Sequence, residues 1–510
     1  MRAAFTALGS ISFLALEAIG GTLTLAFGFT NTAIAITFVT VLIFCITLPL
    51  CATAAKAGLD VDLLTRGTGF GYIGSTVTSL IYASFTFIFF GLEAAILAGT
   101  LHILLNIPLW LAYLACAVVI IPLVARGITF IAKFQIITFP IWFFLNILPL
   151  SILIIQHPLW LAEWTHFSGL VQHTSGIDTL AIGSAASVMI VLVCQSAEQI
   201  DFLRFLPPLT AQNKRQWWSA LILGGPAWIV LDATKLLAGS FLGWVALHAG
   251  FPPLQATQPG LMYHLAWSSF TPPALATALT IALVAVSQIK INITNAYAGS
   301  LAWSNFFSRL THSHPGRVFY VLFNITIALI LMEAGLVNTI QTGIIFYAVL
   351  ACAWIGVILG DVTICKPLKL CPSEIEFKRS LLPDLNIVGI GAWALGAGIG
   401  TLAMSDLLGV HAAAFAPFLT LFVACGTTPL LAYLTHGRTY MARKQPAEWN
   451  TQPVMRCVIC EHEFEAEDMT SCPAYGGTIC SLCCSLDGRC HDRCKPIATH
   501  CPIAYLTFQI

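Results

Sequence analysis

Twelve apolar runs follow one another along this chain, at 5–27, 32–55, 73–101, 108–125, 130–155, 179–199, 217–248, 272–298, 317–335, 339–363, 386–404 and 412–435. About 20 apolar residues in a helix cross the hydrocarbon core of a bilayer. Inside that core each backbone N–H and C=O must find its partner within the protein, which a helix arranges by itself. The pattern therefore predicts an all-α membrane protein with twelve transmembrane helices, its main partner being the lipid bilayer. Composition agrees: 9% of the residues are charged and 58% hydrophobic, against about 25% and 45–50% in soluble domains. The 23 basic and 23 acidic residues cancel, so no polycationic surface points to nucleic acid.

Lysine and arginine set the orientation, because they collect in cytoplasmic loops. With the N-terminus inside, those loops hold Lys56, Arg66, Arg126, Lys133, Arg204, Lys214, Arg215, Arg309, Arg317, Lys366, Lys369, Lys378 and Arg379. The opposite loops, including the long segments 156–178 and 249–271, hold no Lys or Arg. A wrong set of spans would scramble this partition. The expectation is a multi-pass protein of the inner, cytoplasmic membrane with both termini in the cytoplasm.

Charges within the spans are costly unless paired or facing a cavity. The candidates away from the span ends are Glu17, Glu93, Glu198, Asp232, Lys235 and Lys290. Asp232 and Lys235, three apart on one helix face, are expected to neutralise each other. Glu198, close to Asp201 and Arg204, is expected at a solvated mouth. Glu17, Glu93 and Lys290 have no partner nearby in sequence and are the functional candidates. The string Gly69-Phe-Gly71-Tyr-Ile-Gly74 has dinucleotide-loop spacing, but no strand–helix–strand unit surrounds it, so nucleotide binding is rejected.

Cysteines divide unevenly. Eight lie between Cys45 and Cys425, mostly within apolar runs, and the other nine crowd into the last 54 residues. Cys457 and Cys460, then Cys480 and Cys483, are pairs two residues apart, a spacing that grips one metal ion through a tight turn. Cys472, Cys484, Cys490 and Cys494 remain for a second site. In a reducing cytoplasm a disulfide framework is not expected. Zinc is the leading reading; an iron–sulfur cluster, also held by cysteines, is the alternative. The domain division is 1–440 for the spans, 441–454 for a linker and 455–510 for a Cys-rich tail.

Three segments in order resemble the nucleobase:cation symporter-1 family of purine, cytosine, allantoin and hydantoin permeases. They are Gly58-Leu-Asp-Val-Asp-Leu-Leu-Thr-Arg66-Gly-Thr-Gly-Phe70-Gly71 leading to Phe89-Phe90-Gly91-Leu92-Glu93, Asp201-Phe202-Leu203-Arg204-Phe205, and Thr294-Asn295-Ala296-Tyr297-Ala298. Gly360-Asp361 adds weaker support. The resemblance covers roughly residues 5–440. It implies the leucine-transporter-type fold, two inverted five-helix repeats plus two further helices, with helices 1 and 6 broken near the midplane. Gly20-Gly21 and Gly183 are compatible with those breaks; tight packing by small residues is the other reading.

The resemblance also places the sites. The family stacks a flat ring on a span-3 tryptophan and bonds it with a glutamine one turn on; Phe89 and Glu93 stand at those positions. The second aromatic wall falls on Leu192, near Gln195, and the span-8 asparagine falls on Ala296, with Asn292 and Asn295 nearby. A carboxylate only accepts hydrogen bonds or binds a cation, so a cationic or donor-rich solute is expected. Ion coupling maps to Glu17, Ser287 and Lys290. The Lys290 ammonium either occupies the sodium volume, with protons as the coupling ion, or locks helices 1 and 8 together.

Two functions follow. One is a secondary transporter of a small nitrogenous solute such as a nucleobase or hydantoin, independent of sodium; no enzyme activity is expected. The other is a sensor that binds such a solute and signals through the tail to a cytoplasmic protein. Loss of the sodium ligands and ring-stacking tryptophans favours the second and the complete set of twelve spans the first. The combination with the tail resembles the membrane input region of permease-type bacterial sensor histidine kinases, which carry a Cys-rich connector.

Overall fold

A computed structural model describes residues 9–171, 176–444 and 453–496. Helices occupy all twelve predicted runs. They are α1 (Ala15–Phe27), α2 (Phe29–Ala57), α3 (Ser75–Leu105), α4 (Leu109–Ala125), α5 (Ile128–Gln156), α6 (Thr179–Leu203), α7 (Lys214–His248), α8 (Pro273–Thr311), α9 (Arg317–Glu333), α10 (Val337–Gly360), α11 (Ile387–Met404) and α12 (Ala416–Leu434). Among the described residues, nine helices are individually long and apolar enough to cross a bilayer, and α1 and α4 are shorter apolar helices. Many leucine, isoleucine and phenylalanine side chains face outward along them, as lipid requires.

The helices divide into two packed groups. In one, α3 runs against α8, with α4 and α9 alongside; in the other, α1 runs against α7, with α2 and α6 beside them. Helices α10, α11 and α12 pack together.

Helices α1 and α6, the first of each implied five-helix repeat, are interrupted, but not at the glycines named from sequence. A single 3-10 turn, Gly9–Ser12, precedes α1, and Phe13 and Leu14 separate the two. In α6 a 3-10 stretch, Ile190–Cys194, divides the helix. Gly20, Gly21 and Gly183 all lie within helix. A Cβ on Gly20 would stand 1.9 Å from the Leu236 carbonyl oxygen, and one on Gly239 2.2 Å from the Glu17 Cα. These glycines bring the α1 and α7 backbones into contact, the packing reading of small residues. Replacing Gly239 by Val should force the two apart and cost at least about 1–3 kcal/mol. Thermal unfolding in detergent would measure it; an unchanged midpoint would contradict the contact.

Arg66–Phe70 forms one wide turn in which Gly69 has φ +98°. It packs on the start of α11, where a Cβ on Gly389 would lie 2.3 Å from the Gly69 oxygen. The dinucleotide-like string is thus a helix-to-helix packing element.

The tail folds as two short antiparallel hairpins and one helical turn. β1 (Val454–Arg456) pairs with β2 (Glu463–Glu465), and β3 (Met469–Cys472) with β4 (Gly477–Cys480), followed by helix Ser481–Leu486. Its buried interior is Met469 and Ile479 surrounded by cysteines.

Candidate functional site

The break before α1 leaves the first backbone N–H groups of that helix without intrahelical acceptors. The Glu93 carboxylate takes them, accepting from the N–H of Leu14 at 3.2 Å and of Ala15 at 3.3 Å. A negative charge there also meets the positive end of the α1 dipole. On the other side of the break the Phe13 carbonyl accepts from Lys235 Nζ at 2.5 Å.

Lys235 does not pair as expected. Its ammonium lies 3.1 Å from Glu17, and both Asp232 carboxylate oxygens are buried with no hydrogen-bond partner among the described residues. The expected Asp232–Lys235 pair is replaced because α7 lies against α1, which brings Glu17 to the lysine. Around Glu17 stand the Tyr263 hydroxyl, at 3.2 Å, and Asn146, which that same hydroxyl also meets. Gln288 of α8 lies beside Glu93. Three carboxyls and one ammonium thus gather about the break, all at most 6% exposed.

Of the other substrate-site residues named from sequence, Phe89 reaches the break, through Phe13. Phe89 packs on Phe85, with ring centroids 4.4 Å apart, and edge-on to Phe13 at 6.4 Å. Leu192 sits in the 3-10 stretch of α6 and Gln195 directly after it. On α8 the Asn295 amide donates to Asn292 Oδ1 at 3.4 Å. All five are buried. On the opposite side from the basic loops a cavity of about 840 Å³ opens between α1, α3, α4 and the 249–271 connection, lined among others by Ala18, Thr22, Leu92, Ile96 and Gln258. Ala18 and Leu92 are chain neighbours of Glu17 and Glu93.

Lys290 reaches toward α5, not α1. Its ammonium donates to Gln135 Oε1 at 2.5 Å and lies 3.2 Å from both the Gln135 carbonyl and Thr138 Oγ1. The Gln135 amide returns a bond to the Lys290 carbonyl at 2.9 Å. The expected tie between helices 1 and 8 is therefore made elsewhere, by the Ser12 hydroxyl donating to the Ser287 carbonyl at 3.2 Å. Sequence reasoning passed over Gln135, Asn146, Tyr263 and Gln288. Gln135, Asn146 and Gln288 carried a usable signal, a side-chain amide inside an apolar run.

Ion pairs, the Asp62 set of them buried, tie the basic end together. Asp62 accepts from Arg66 at 2.7 Å and from Arg309 at 2.9 Å. Asp60 pairs with Arg204 at 2.7 Å. Asp201 accepts from the Val61 N–H at 3.1 Å and the Tyr82 hydroxyl at 3.0 Å. Glu198 is not solvated as expected but 1% exposed, enclosed because α6 returns into this network. Burial opposes ionisation of Asp62, yet the guanidiniums of Arg309 and Arg66 outweigh it and hold its pKa below the usual aspartate value.

In the tail the sulfurs of Cys457, Cys460, Cys480 and Cys483 lie within 4.8 Å of one another. Among the described residues no other group of His, Cys, Asp and Glu gathers so closely. The Cys480 N–H donates to Cys457 Sγ, and the Cys483 N–H to Cys480 Sγ, both at 3.4 Å. Burial works against the Cys457 thiolate, but the N–H groups of Cys460, Cys480 and Ile459 bring its pKa down to about 6. A set of four thiols with one already poised to ionise suits a thiophilic cation. Cys472, Cys484, Cys490 and Cys494 line a separate narrow cavity with Asp487 and Asp492. Cys501 lies outside the described residues.

No family model matches the chain, and no curated protein sequence does. Among solved structures it is similar to Mhp1, described as a nucleobase-cation-symport-1 family transporter, in a closed conformation with bromovinylhydantoin bound; identity is 14%, coverage 86% of this chain and 95% of that one, TM-score 0.62. It is also similar to a Na+-coupled sialic acid symporter in a substrate-bound outward-open state (11% identity, 85% and 89% covered, TM-score 0.58). A manganese transporter of Eremococcus coleocola follows (15% identity, 86% and 94% covered, TM-score 0.53). The chain has the fold of these membrane transporters, the leucine-transporter-type arrangement that its motifs imply.

Proposed function

We propose that the chain is a secondary transporter of a small nitrogenous solute, of the nucleobase or hydantoin class, in the cytoplasmic membrane with both termini inside. The observation that carries this reading is the interrupted first helix. Backbone groups freed at Phe13 and Leu14 meet Glu93 and Lys235 at the centre of a bundle whose fold is that of solute carriers. Phe89, Glu93, Leu192, Gln195, Asn292 and Asn295 form the solute site in this reading. The Glu93 carboxylate favours a solute that brings hydrogen-bond donors or positive charge. Uptake of labelled purines, pyrimidines and hydantoins into proteoliposomes tests it. Accumulation of none of them would remove the transport reading for this solute class.

Coupling does not use sodium in this reading, and protons take its role at Glu17, Ser287 and Lys290. While it holds its proton, the Lys290 ammonium places a positive charge on the α5–α8 side, which repels a second cation there. Solute affinity should be the same in sodium and in choline at constant ionic strength. A tenfold gain on adding sodium would sink the idea.

The tail is read as a zinc site built from Cys457, Cys460, Cys480 and Cys483, with Cys472, Cys484, Cys490 and Cys494 available to a second ion. A sensory role is the second reading, favoured by the close seating of the tail on the bundle. Solute binding without uptake, together with a cytoplasmic partner captured only when the tail is present, would select it.

A further inference from the structure

The tail does not hang free of the helices. Lys495 pairs with Asp384 at 3.0 Å, the two side chains 0% and 1% exposed. Arg379 pairs with Asp492 at 3.1 Å and donates to the carbonyls of Cys484 and Asp487, both at 2.9 Å. His312, at the end of α8, meets the Ser485 carbonyl at 2.9 Å. Lys378 donates to the Glu467 carbonyl at 2.6 Å, and Ser380 shares a 2.7 Å bond with Thr470. On the tail side these contacts fall on the six-residue helix that carries Cys483 and on residues before and after it; on the other side they fall on the loop between α10 and α11 and on His312.

That loop is itself bonded to the start of α3. The Pro383 carbonyl accepts from the Tyr72 N–H, and the Asp384 carbonyl from the N–H groups of Ile73 and Gly74, each at 2.9 Å. The Tyr72 ring is approached by Arg66, Arg379 and Lys495 at 5.4, 5.9 and 5.8 Å. One of these cations belongs to the closed basic end, one to the loop and one to the tail. A continuous set of contacts therefore runs from the four thiols to α3, the helix that bears Phe89 and Glu93.

We propose that the Cys457–Cys460–Cys480–Cys483 centre is a regulatory site for a thiophilic divalent cation, whose occupancy clamps the tail onto Arg379, Asp384 and His312 and holds the basic end of the bundle shut. The proposal rests on the metal reading of those four thiols. Without the cation the tail keeps Met469, Ile479 and its cysteines as a buried core, with Met455, Ile459 and Phe464 packed against it, too little for a unit of this size. Cation binding and tail folding are then one event. Loss of the tail takes Asp492 from Arg379 and Lys495 from Asp384 and loosens the loop that ties down Tyr72–Gly74. By reciprocity, breaking the clamp must weaken cation affinity by the factor with which the cation strengthens the clamp.

Full-length protein in nanodiscs tests this, with zinc content measured alongside amide hydrogen exchange of segments 72–80 and 378–386. Chelation should remove the zinc and speed exchange in both segments at least tenfold. Lys495→Met, which leaves all four thiols in place, should speed exchange with zinc present and lower zinc affinity in competition with a chromophoric chelator. Zinc removed with exchange unchanged would overturn the clamp while leaving the metal centre standing. Zinc-loaded Lys495→Met with wild-type exchange and affinity would overturn it as well. Freshly reduced protein that binds no zinc would remove the metal reading and the clamp together.

Discussion

Asp62→Asn should destabilise the bundle by about 3–5 kcal/mol, the usual cost of removing one partner from a buried ion pair. Asp62 is the shared acceptor of Arg66 and Arg309, and Arg309 is 1% exposed. Asparagine keeps the shape and one acceptor oxygen but leaves two guanidiniums close together in a dry space. The reverse truncation, Arg309→Met, should cost less, because Arg66 still satisfies the carboxylate. Reversible unfolding in mixed micelles would rank the two, and equal losses would contradict the shared-acceptor arrangement. The pH dependence has a fixed sign. The folded-state pKa of Asp62 lies below its unfolded value, so its contribution is fully present above the unfolded pKa. It is lost as pH falls through the folded one.

The second large effect is expected in the tail. Cys457→Ser combined with Cys460→Ser removes half of the ligands of the four-thiol group, and structural zinc supplies about 10–16 kcal/mol of apparent binding free energy to small folded units. At least one metal equivalent should disappear from the purified chain. The tail hairpins should lose their exchange protection. Cys501→Ser, outside both proposed ligand sets, should leave metal content unchanged. Absorption separates the two chemistries, since zinc thiolates are colourless and iron–sulfur clusters are not. A brown protein would replace zinc with iron; metal content unchanged in the double variant would dismiss this ligand set.

The helices were legible in the sequence because a bilayer sets one length for every span and water leaves no second solution. The four-thiol group was legible for a related reason, as its cysteines come in pairs with two residues between them, a local spacing that suits a metal ion. The breaks were not. They fall at Phe13–Leu14 and Ile190–Cys194, apolar residues with no glycine or proline among them, while the glycines nearby serve backbone contact between α1 and α7. Partner choice was equally hidden. Lys235 has Asp232 one turn away, yet bonds Glu17, 218 positions earlier in the chain, because tertiary packing brings a carboxyl and a free carbonyl to the same ammonium. Lys378 and Arg379 served as orientation markers, and their burial against the tail follows from contacts that no local pattern encodes.

The pairing of Lys495 with Asp384 bears on the order of synthesis. The twelve helices leave the ribosome and enter the membrane before residues 484–495 exist. Until then Asp384 and Arg379 lack the tail groups that face them in the finished protein, and the loop between α10 and α11 is held by other bonds, among them those to Phe70, Tyr72–Gly74 and Ala442. The last part of the domain to be made therefore completes an ion cluster begun more than a hundred residues earlier. A chain halted before that point would carry the helices with that charged face uncovered.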